Sequence, residues 1–168
     1  SGCAFIDGRW RNEDALALMA AAESGADYST VNPYALPVPT APQLAAAQAG
    51  VTIELPVLQE AYRILAGQAD FVLVEGVGGW LAPLSDSLDQ ADLVRTLQLP
   101  VLLVVGMRLG CINHARLTEQ AVSASGGLLL GWLANDIEAG FDADGRYFEA
   151  LSRSMQTPCL GRLPFARQ

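Results

Sequence analysis

Short apolar runs alternate with amphipathic segments through the second half of the chain. Runs of branched residues and leucines, bounded by glycine, proline or polar residues, are typical of strands that are covered on both faces. Buried strands are therefore predicted at 71–75, 101–106, 127–135 and 159–164. Helices are predicted between them, over 89–97, 113–125 and 144–155. This alternation predicts an α/β fold in which helices cover both faces of a parallel sheet.

The earlier part of the chain follows a less regular pattern. After an irregular start, the sequence predicts a helix over Asp14–Ser24, with Asn12 as its N-terminal cap. Two further helices are predicted over Ala41–Ala49 and Leu55–Gly67. Between the first two helices, residues 31–42 contain four prolines. Since proline is excluded from helix interiors and central strands, this segment is predicted to be an ordered loop.

Composition and charge narrow the possible functions. A chain of 168 residues is predicted to form a single domain, and 51% apolar residues can supply a substantial core. No apolar run in the sequence reaches the roughly 18 residues that a membrane span needs. The net charge of −8 argues against nucleic-acid binding, which depends on Lys and Arg. Three widely spaced cysteines favour the reducing cytoplasm. A single histidine argues against a zinc site.

The segment VEGVGG, residues 74–79, ends the first predicted strand with a carboxylate and three glycines. In open α/β sheets, ligands bind beyond the carboxyl ends of the strands. Glu75 at such an end can hold a hard cation such as Mg²⁺, which in turn carries phosphates. The glycines at 76, 78 and 79 let backbone N–H groups approach a ligand closely. A solvated carboxylate that begins an ordinary turn is the alternative interpretation.

Three other positions are candidates for binding. Residues 110–113 begin a predicted helix, whose free N–H groups suit a carboxylate or phosphate, although a plain connection explains them equally well. Asn135 and Asp136 follow a strand, and an Asn amide can pair with adenine. A turn built on Asn and Asp is the alternative there. Asp14 lies near a helix start, where the helix dipole favours a carboxylate in any case.

The order and spacing of several longer segments indicate a family. They are SG at the start, NEDALAL, VNPYALPVPTAP, LVEGVGGWLAPLSD, LPVLLVVGMRLGCINHARLT, GWLANDI and GRLPF. Over essentially its whole length the chain resembles dethiobiotin synthetase, a P-loop NTPase-like ligase of biotin biosynthesis. The most specific segments are VEGVGGWLAPLSD and VGMRLGCINHA. The resemblance implies a homodimeric enzyme that uses ATP and Mg²⁺.

The resemblance also implies a reaction. In this family, 7,8-diaminononanoate takes up CO₂ as a carbamate on one amine. The carbamate is then phosphorylated by ATP, which turns its oxygen into a leaving group. The second amine attacks and closes the ureido ring, with release of ADP and phosphate. Protein catalysis of phosphoryl transfer consists mainly of positioning and charge neutralisation.

The functional positions of the family carry over to matching residues of this chain. The implied Mg²⁺ ligands are Asp14 and Glu75. The implied nucleotide-binding residues are Asp14, Glu75, Gly76, Val77, Gly78, Asn135 and Asp136, with Pro164, Phe165 and Ala166 completing the base pocket. Ser1 is implied to contact the diamine and its carbamate. The implied residues at the substrate carboxylate, across the dimer interface, are Gly110, Cys111, Ile112 and Asn113, with Tyr147 also near the substrate.

One part of the family pattern is missing from this sequence. The family has a GxxxxGK[ST] P-loop after its first strand and a catalytic lysine in a KPxxSG segment. The chain has no match to the P-loop motif and no lysine, and it begins at the serine of the second segment. The catalytic lysine is therefore expected upstream of Ser1, together with the first strand, the P-loop and the following helix. We expect the 168 residues alone to be inactive.

Two other interpretations stay open from the sequence. A related P-loop amidating synthetase or ATPase would share the strand-end carboxylate, but GCINH and LANDI fit it poorly. A non-enzymatic flavodoxin-like or receiver-like binding module would use the carboxylates and glycines as turn residues. A receiver domain would need a phosphoacceptor Asp where this chain has Glu75.

Overall fold

The structure, a computed structural model, describes residues 2–22 and 25–166. These residues divide into two compact units, one ending at Leu93 and the other beginning at Val94. Each unit has its own secondary structure. None of the helices in the described ranges combines the length and the apolar character that a membrane span requires.

The N-terminal unit contains short strands followed by helices. Its elements are β1 (Ala4–Ile6), β2 (Arg9–Arg11), α1 (Glu13–Ala22), α2 (Tyr28–Val31), α3 (Pro42–Gln48) and α4 (Leu55–Ala66). The three helices predicted here are confirmed as α1, α3 and α4, although Ser24, the predicted end of α1, lies outside the described residues. Asn12 caps α1 as predicted, because its Oδ1 accepts a hydrogen bond from the Ala15 N–H at 3.0 Å.

The irregular start predicted for the chain is wrong, since β1 and β2 form an antiparallel hairpin. Phe5 pairs with Trp10 across the strands, and their ring centroids lie 5.1 Å apart in an edge-to-face arrangement. Asp7 and Gly8 form the two-residue turn, with φ angles of 50° and 74°. An Asp-Gly pair between apolar residues is a strong hairpin signal, so the sequence did contain the information.

The proline-rich segment is an ordered loop, as predicted. Residues 32–41 contain no helix or strand. Leu36 in the middle of this loop is buried. Its carbonyl accepts a hydrogen bond from the Cys3 N–H at 3.2 Å, and the Val38 carbonyl accepts one from the Gly2 N–H at 3.3 Å. The loop therefore holds the beginning of the described chain in place.

The strand predicted at 71–75 is not formed, because residues 71–76 have no regular structure. Phe71 is 81% exposed and Leu73 is 66% exposed. A central strand needs hydrogen-bonding partners along its edges, and no strand among the described residues pairs with this segment. The apolar run misled the prediction because composition does not reveal whether a partner strand is present. Glu75 consequently lies in an exposed, irregular segment and does not end a buried strand.

The C-terminal unit is built on a parallel sheet. The boundary between the two units along the chain falls within α5 (Gln90–Leu97). The elements that follow it are β3 (Val101–Gly106), α6 (Cys111–Ala124), β4 (Leu129–Asn135), α7 (Arg146–Ser154) and β5 (Cys159–Leu163). The strand order is β3-β4-β5, and both pairings are parallel. The predicted α/β class and parallel sheet are confirmed, and each predicted element of this unit lies within two residues of the observed one.

The core of the C-terminal unit lies between the sheet and helices α6 and α7. Trp132 of β4 and Leu151 of α7 are fully buried there. The Phe148 ring packs beside Trp132, with ring centroids 5.8 Å apart. On the other face of the sheet, Leu102 and Val104 of β3 are exposed. The helices of this unit therefore pack on one face of its sheet.

Candidate functional site

The residues assigned to the site from the sequence fall in both units. The N-terminal unit contains Asp14 and residues 75–78, and the C-terminal unit contains residues 110–113, 135–136, 147 and 164–166. Ser1 lies outside the described residues.

Asp14 lies in the first turn of α1 and is exposed. Within the ranges that the structure describes, its carboxylate has neither a hydrogen-bond nor an ion-pair partner. The positive end of the helix dipole stabilises a carboxylate at this position. Its oxygens are therefore free to bind a cation, and carboxylate oxygens are the ligands that Mg²⁺ prefers.

The glycine loop after Glu75 contains a tight turn that only glycine fits well. Gly78 has a φ angle of 78°, and the Gly79 N–H donates to the Val77 carbonyl at 3.0 Å across it. A Cβ on Gly78 would also lie 3.0 Å from the Cβ of Ala82. The positive φ angle favours glycine, and a Cβ at this position would also require Ala82 to shift slightly. Glu75 and Val77 are exposed on either side of Gly76, so the loop presents one carboxylate and several backbone groups to solvent.

Buried side chains next to this exposed loop hold it in place. Trp80 and Leu84 are 8% and 5% exposed. The Gln90 side chain packs against Gly76, where a Cβ would lie 3.3 Å from its Nε2. The Gln90 N–H also donates to the Ala82 carbonyl at 3.0 Å. The loop is thus held in one shape without help from the strand that the sequence predicted.

The start of α6 has the free donors that an anion site requires. Gly110, with a φ angle of 92°, precedes the helix, and Cys111 is the first helical residue and is buried. The Cys111 N–H donates to the Arg108 carbonyl at 3.1 Å. The N–H groups of Ile112 and Asn113 have no acceptor in the described part of the chain. Two unpaired donors at the positive end of a helix are suited to a carboxylate or phosphate.

The end of β4 is tied to the end of β5. Asn135 pairs with Leu163 in the sheet, and the Asp136 N–H donates to the Leu163 carbonyl at 2.9 Å. The Asp136 carboxylate accepts two hydrogen bonds from Arg162, with 2.9 Å between Nε and Oδ2 and 3.0 Å between Nη2 and Oδ1. The hydrogen bond with Asp136 raises the pKa of Arg162 above its ordinary value, against the opposing effect of partial burial. Asp136 is therefore part of an ion pair and not a simple turn residue.

A buried carboxylate positions Tyr147. The side chain of Asp142 is fully buried and accepts hydrogen bonds from the N–H groups of Tyr147 at 2.8 Å and Phe148 at 3.1 Å. These two groups belong to the first turn of α7, which follows the N-cap residue Gly145, so Asp142 satisfies two donors that the helix itself leaves unpaired. The Tyr147 ring packs on Phe141, with ring centroids 4.5 Å apart. The Asp142 Oδ2 also lies 3.2 Å from Nη1 of Arg162.

The remaining predicted residues follow β5 directly. Pro164, Phe165 and Ala166 are exposed and have no regular structure. Their position is set by the last residues of β5, through which they connect to Asn135 and Asp136. Among the described residues, no cluster of three or more His, Cys, Asp and Glu side chains is arranged to hold a metal ion.

The sequence patterns did not single out Arg162 or Asp142. The available signal was a single arginine inside the apolar strand CLGRL, residues 159–163. A charged residue in such a strand needs a partner when it is partly buried. The identity of the partners was not visible, because Asp136 and Asp142 are more than 19 residues away, separated from it by α7.

Comparison with known proteins gives consistent matches over nearly the whole chain. A family model described as AAA domain matches residues 3–168. An ATP-dependent dethiobiotin synthetase of Xanthomonas euvesicatoria is 56% identical over 165 residues, which are 98% of this chain and 74% of that protein. The ATP-dependent dethiobiotin synthetase of Xylella fastidiosa is 50% identical over 98% of this chain and 73% of its own length. Neither an amidating synthetase nor a flavodoxin-like module is favoured by these matches.

Proposed function

The chain belongs to the AAA domain family and to the ATP-dependent dethiobiotin synthetases, and we propose which of its residues bind the reactants. The reaction joins CO₂ to 7,8-diaminononanoate and closes the ureido ring of dethiobiotin at the expense of ATP. Three binding regions are needed, for the metal and phosphates, for the adenine base, and for the carboxylate of the diamine substrate.

Asp14 and Glu75 are proposed to hold Mg²⁺. Both are exposed carboxylates of the N-terminal unit, and neither is engaged by another described side chain. This donor set fits Mg²⁺, which binds through one or two protein carboxylates together with phosphate oxygens and water. The bound ion would neutralise negative charge on the phosphates. The glycine loop at 76–78 would bring backbone groups close to the same phosphates, since Gly76 and Gly78 have no side chain in the way.

Asn135 and Asp136, with residues 164–166, are proposed to bind the adenine base. The pairing of β4 with β5 supports this grouping, because it places the two segments at the same end of the sheet. Ligands of parallel sheets bind beyond this end. An Asn side chain offers both a donor and an acceptor to adenine.

The start of α6 is proposed to bind the carboxylate of the diamine substrate, and the free N–H groups of Ile112 and Asn113 carry this proposal. Gly110 and Cys111 would complete the binding site at the start of the helix. Glycine is favoured at position 110 because of its φ angle of 92°. Anchoring one end of a flexible diamine orients its two amines for ring closure. We also propose that Tyr147 contacts this substrate, that Ser1 contacts its carbamate end, and that the site is completed in a homodimer. The widely spaced cysteines support the cytoplasm as its location.

A variant pair tests the metal assignment in the protein as its gene encodes it. Asp14→Asn and Glu75→Gln each keep the size of the side chain but remove a charged ligand. Each is expected to raise the Mg²⁺ concentration needed for half-maximal dethiobiotin formation by at least about tenfold. Glu13→Gln is the matched control, because Glu13 is exposed in the same turn of α1.

The assay measures dethiobiotin formation and ATP hydrolysis at several Mg²⁺ concentrations, with and without diaminononanoate. An unchanged Mg²⁺ requirement in both Asp14→Asn and Glu75→Gln would exclude these residues as ligands. ATP hydrolysis by the unchanged protein that does not depend on diaminononanoate would contradict the proposed reaction itself.

A further inference from the structure

Arg162 is the centre of a polar cluster that no assigned function explains. It lies on β5, and its guanidinium binds the carboxylates of Asp136 and Asp142, at 2.9 Å and 3.2 Å respectively. Its Nη2 also donates to the Asp142 carbonyl at 3.4 Å. The guanidinium lies 5.3 Å from the ring centroid of Phe148. Four contacts of a planar fork fix both the position and the orientation of this side chain.

Arg162 and its partners belong to three separate parts of the fold. Asp136 follows β4 and stands next to Asn135, whereas Asp142 accepts hydrogen bonds from the N–H groups of Tyr147 and Phe148 in the first turn of α7. Arg162 itself precedes Leu163, the last residue of β5. One guanidinium therefore links the end of β4, the end of β5 and the first turn of α7.

The energetic reason for keeping this cluster is the buried carboxylate of Asp142. Its side chain has no solvent exposure, and a buried charge without a partner is strongly unfavourable. Arg162 neutralises it, while the two N–H groups of α7 satisfy its remaining acceptor capacity. Lysine would supply the charge but not the fork, so it could not hold both carboxylates with the same geometry.

We propose that Arg162 is a positioning residue for nucleotide binding, acting through Asp136. This inference rests on the proposed adenine site at Asn135 and Asp136. The bidentate pair holds the Asn135–Asp136 segment against β5, so that the edge presented to the base is fixed before the nucleotide arrives. Because Asp142 shares the same guanidinium, the first turn of α7 and Tyr147 are held in register with that edge.

The test compares Arg162→Ala, Arg162→Lys and Asp136→Asn in the protein as its gene encodes it. Equilibrium ATP binding is measured by calorimetry, and KM for ATP and for diaminononanoate are measured separately. Arg162→Ala is expected to weaken ATP binding about tenfold, which corresponds to about 1.4 kcal/mol. Arg162→Lys is expected to give an intermediate loss, and it provides the readout if the alanine variant fails to fold. Arg153→Ala is the control, since among the described residues Arg153 pairs only with Glu149 on α7, at 3.5 Å and exposed to solvent.

Two further readouts separate positioning from general destabilisation. If Arg162 acts through Asp136, the double variant Arg162→Ala with Asp136→Asn should bind ATP no more weakly than the worse single variant. The preference for ATP over GTP should also fall in Arg162→Lys, while the melting temperature stays near that of the unchanged protein. Equal KM values for ATP in Arg162→Lys and the unchanged protein, or fully additive losses in the double variant, would overturn the inference. Failure of the unchanged protein to bind ATP would instead overturn the proposed function.

Discussion

Replacing Glu119 with alanine is expected to destabilise the fold by about 2 to 3 kcal/mol, because Glu119 holds the loop before β5. Glu119 lies on α6 and is 9% exposed. Its carboxylate accepts hydrogen bonds from the Thr157 N–H at 2.8 Å and the Thr157 hydroxyl at 2.7 Å. The Gln156 N–H lies 3.1 Å from both carboxylate oxygens. The side chain therefore connects a helix to a loop 37 residues later in the chain.

The magnitude follows from counting the donors that lose their acceptor. A hydrogen bond to a charged group contributes about 1.5 to 3 kcal/mol, and an unsatisfied buried donor costs about 1 to 3 kcal/mol. Gln156 is exposed, so water can replace the acceptor there, whereas Thr157 is half-buried. The full cost therefore applies mainly to Thr157. Glu119→Gln keeps one acceptor oxygen and is expected to cost about 1 kcal/mol.

The stabilisation by Glu119 should depend on pH. Burial raises the pKa of this carboxyl, but the hydrogen bonds from Thr157 and Gln156 and the charge of Arg116 outweigh burial and lower the pKa below its ordinary value. A carboxyl with a lowered folded-state pKa contributes fully above the unfolded-state pKa, near about 4.3 for Glu. The contribution is lost as the pH falls through the folded-state pKa. The difference in stability between the unchanged protein and Glu119→Gln should therefore shrink below about pH 4.3.

Urea unfolding followed by circular dichroism measures the free energies, and hydrogen exchange measures the protection of the Gln156 and Thr157 amides. Glu149→Gln is the control, since its 3.5 Å pair with Arg153 is exposed and is expected to contribute less than about 1 kcal/mol. Unfolding free energies of Glu119→Ala and Glu149→Gln that agree within about 0.5 kcal/mol, with both amides still protected, would refute this account of the loop.

Three glycine substitutions, one of them a control, test the backbone. Gly131→Ala should lower the free energy of unfolding by several kcal/mol, on the order of the larger single-site effects, because its Cβ would lie 2.6 Å from the Pro158 carbonyl oxygen. Gly67→Ala is the control, since a Cβ there would lie no closer than 3.5 Å to its neighbours, and it should leave urea unfolding nearly unchanged. Gly78→Ala should cost about 1 to 2 kcal/mol and weaken ATP binding in calorimetry, since its φ angle is 78°. Unchanged ATP binding by Gly78→Ala would show that the turn is not needed for the nucleotide.

Sequence patterns predicted the C-terminal unit well, because its elements are long and their apolar residues recur with clear periods. They failed where the structure depends on pairing with another strand. The run at 71–75 has the composition of a buried strand, yet no described strand pairs with it and it remains exposed. The hairpin at 4–11 was missed for a different reason, because its strands are only three residues long and their apolar residues are exposed.

Much of the candidate site was predictable in position but not in its supporting contacts. Gly110 and Gly78 could be identified from glycine spacing, and both have the positive φ angles that explain the choice of glycine. The partners of Asp136 could not be identified, since nothing in local sequence links it to Arg162. Ion pairs between distant segments depend on the register of neighbouring strands, which periodicity alone does not determine.

The position of β5 depends on side-chain contacts more than the position of a central strand does. Within the described sheet it is an edge strand, five residues long, and β4 is its partner. An edge strand has ladder hydrogen bonds along one side only, so its ends can separate from the sheet more readily. Glu119 holds the loop that enters β5, and Arg162 holds its exit through Asp136 and Asp142. Since residues 164–166 follow directly, the proposed base pocket should be displaced by a change at either end, even though Glu119 itself is not part of that pocket.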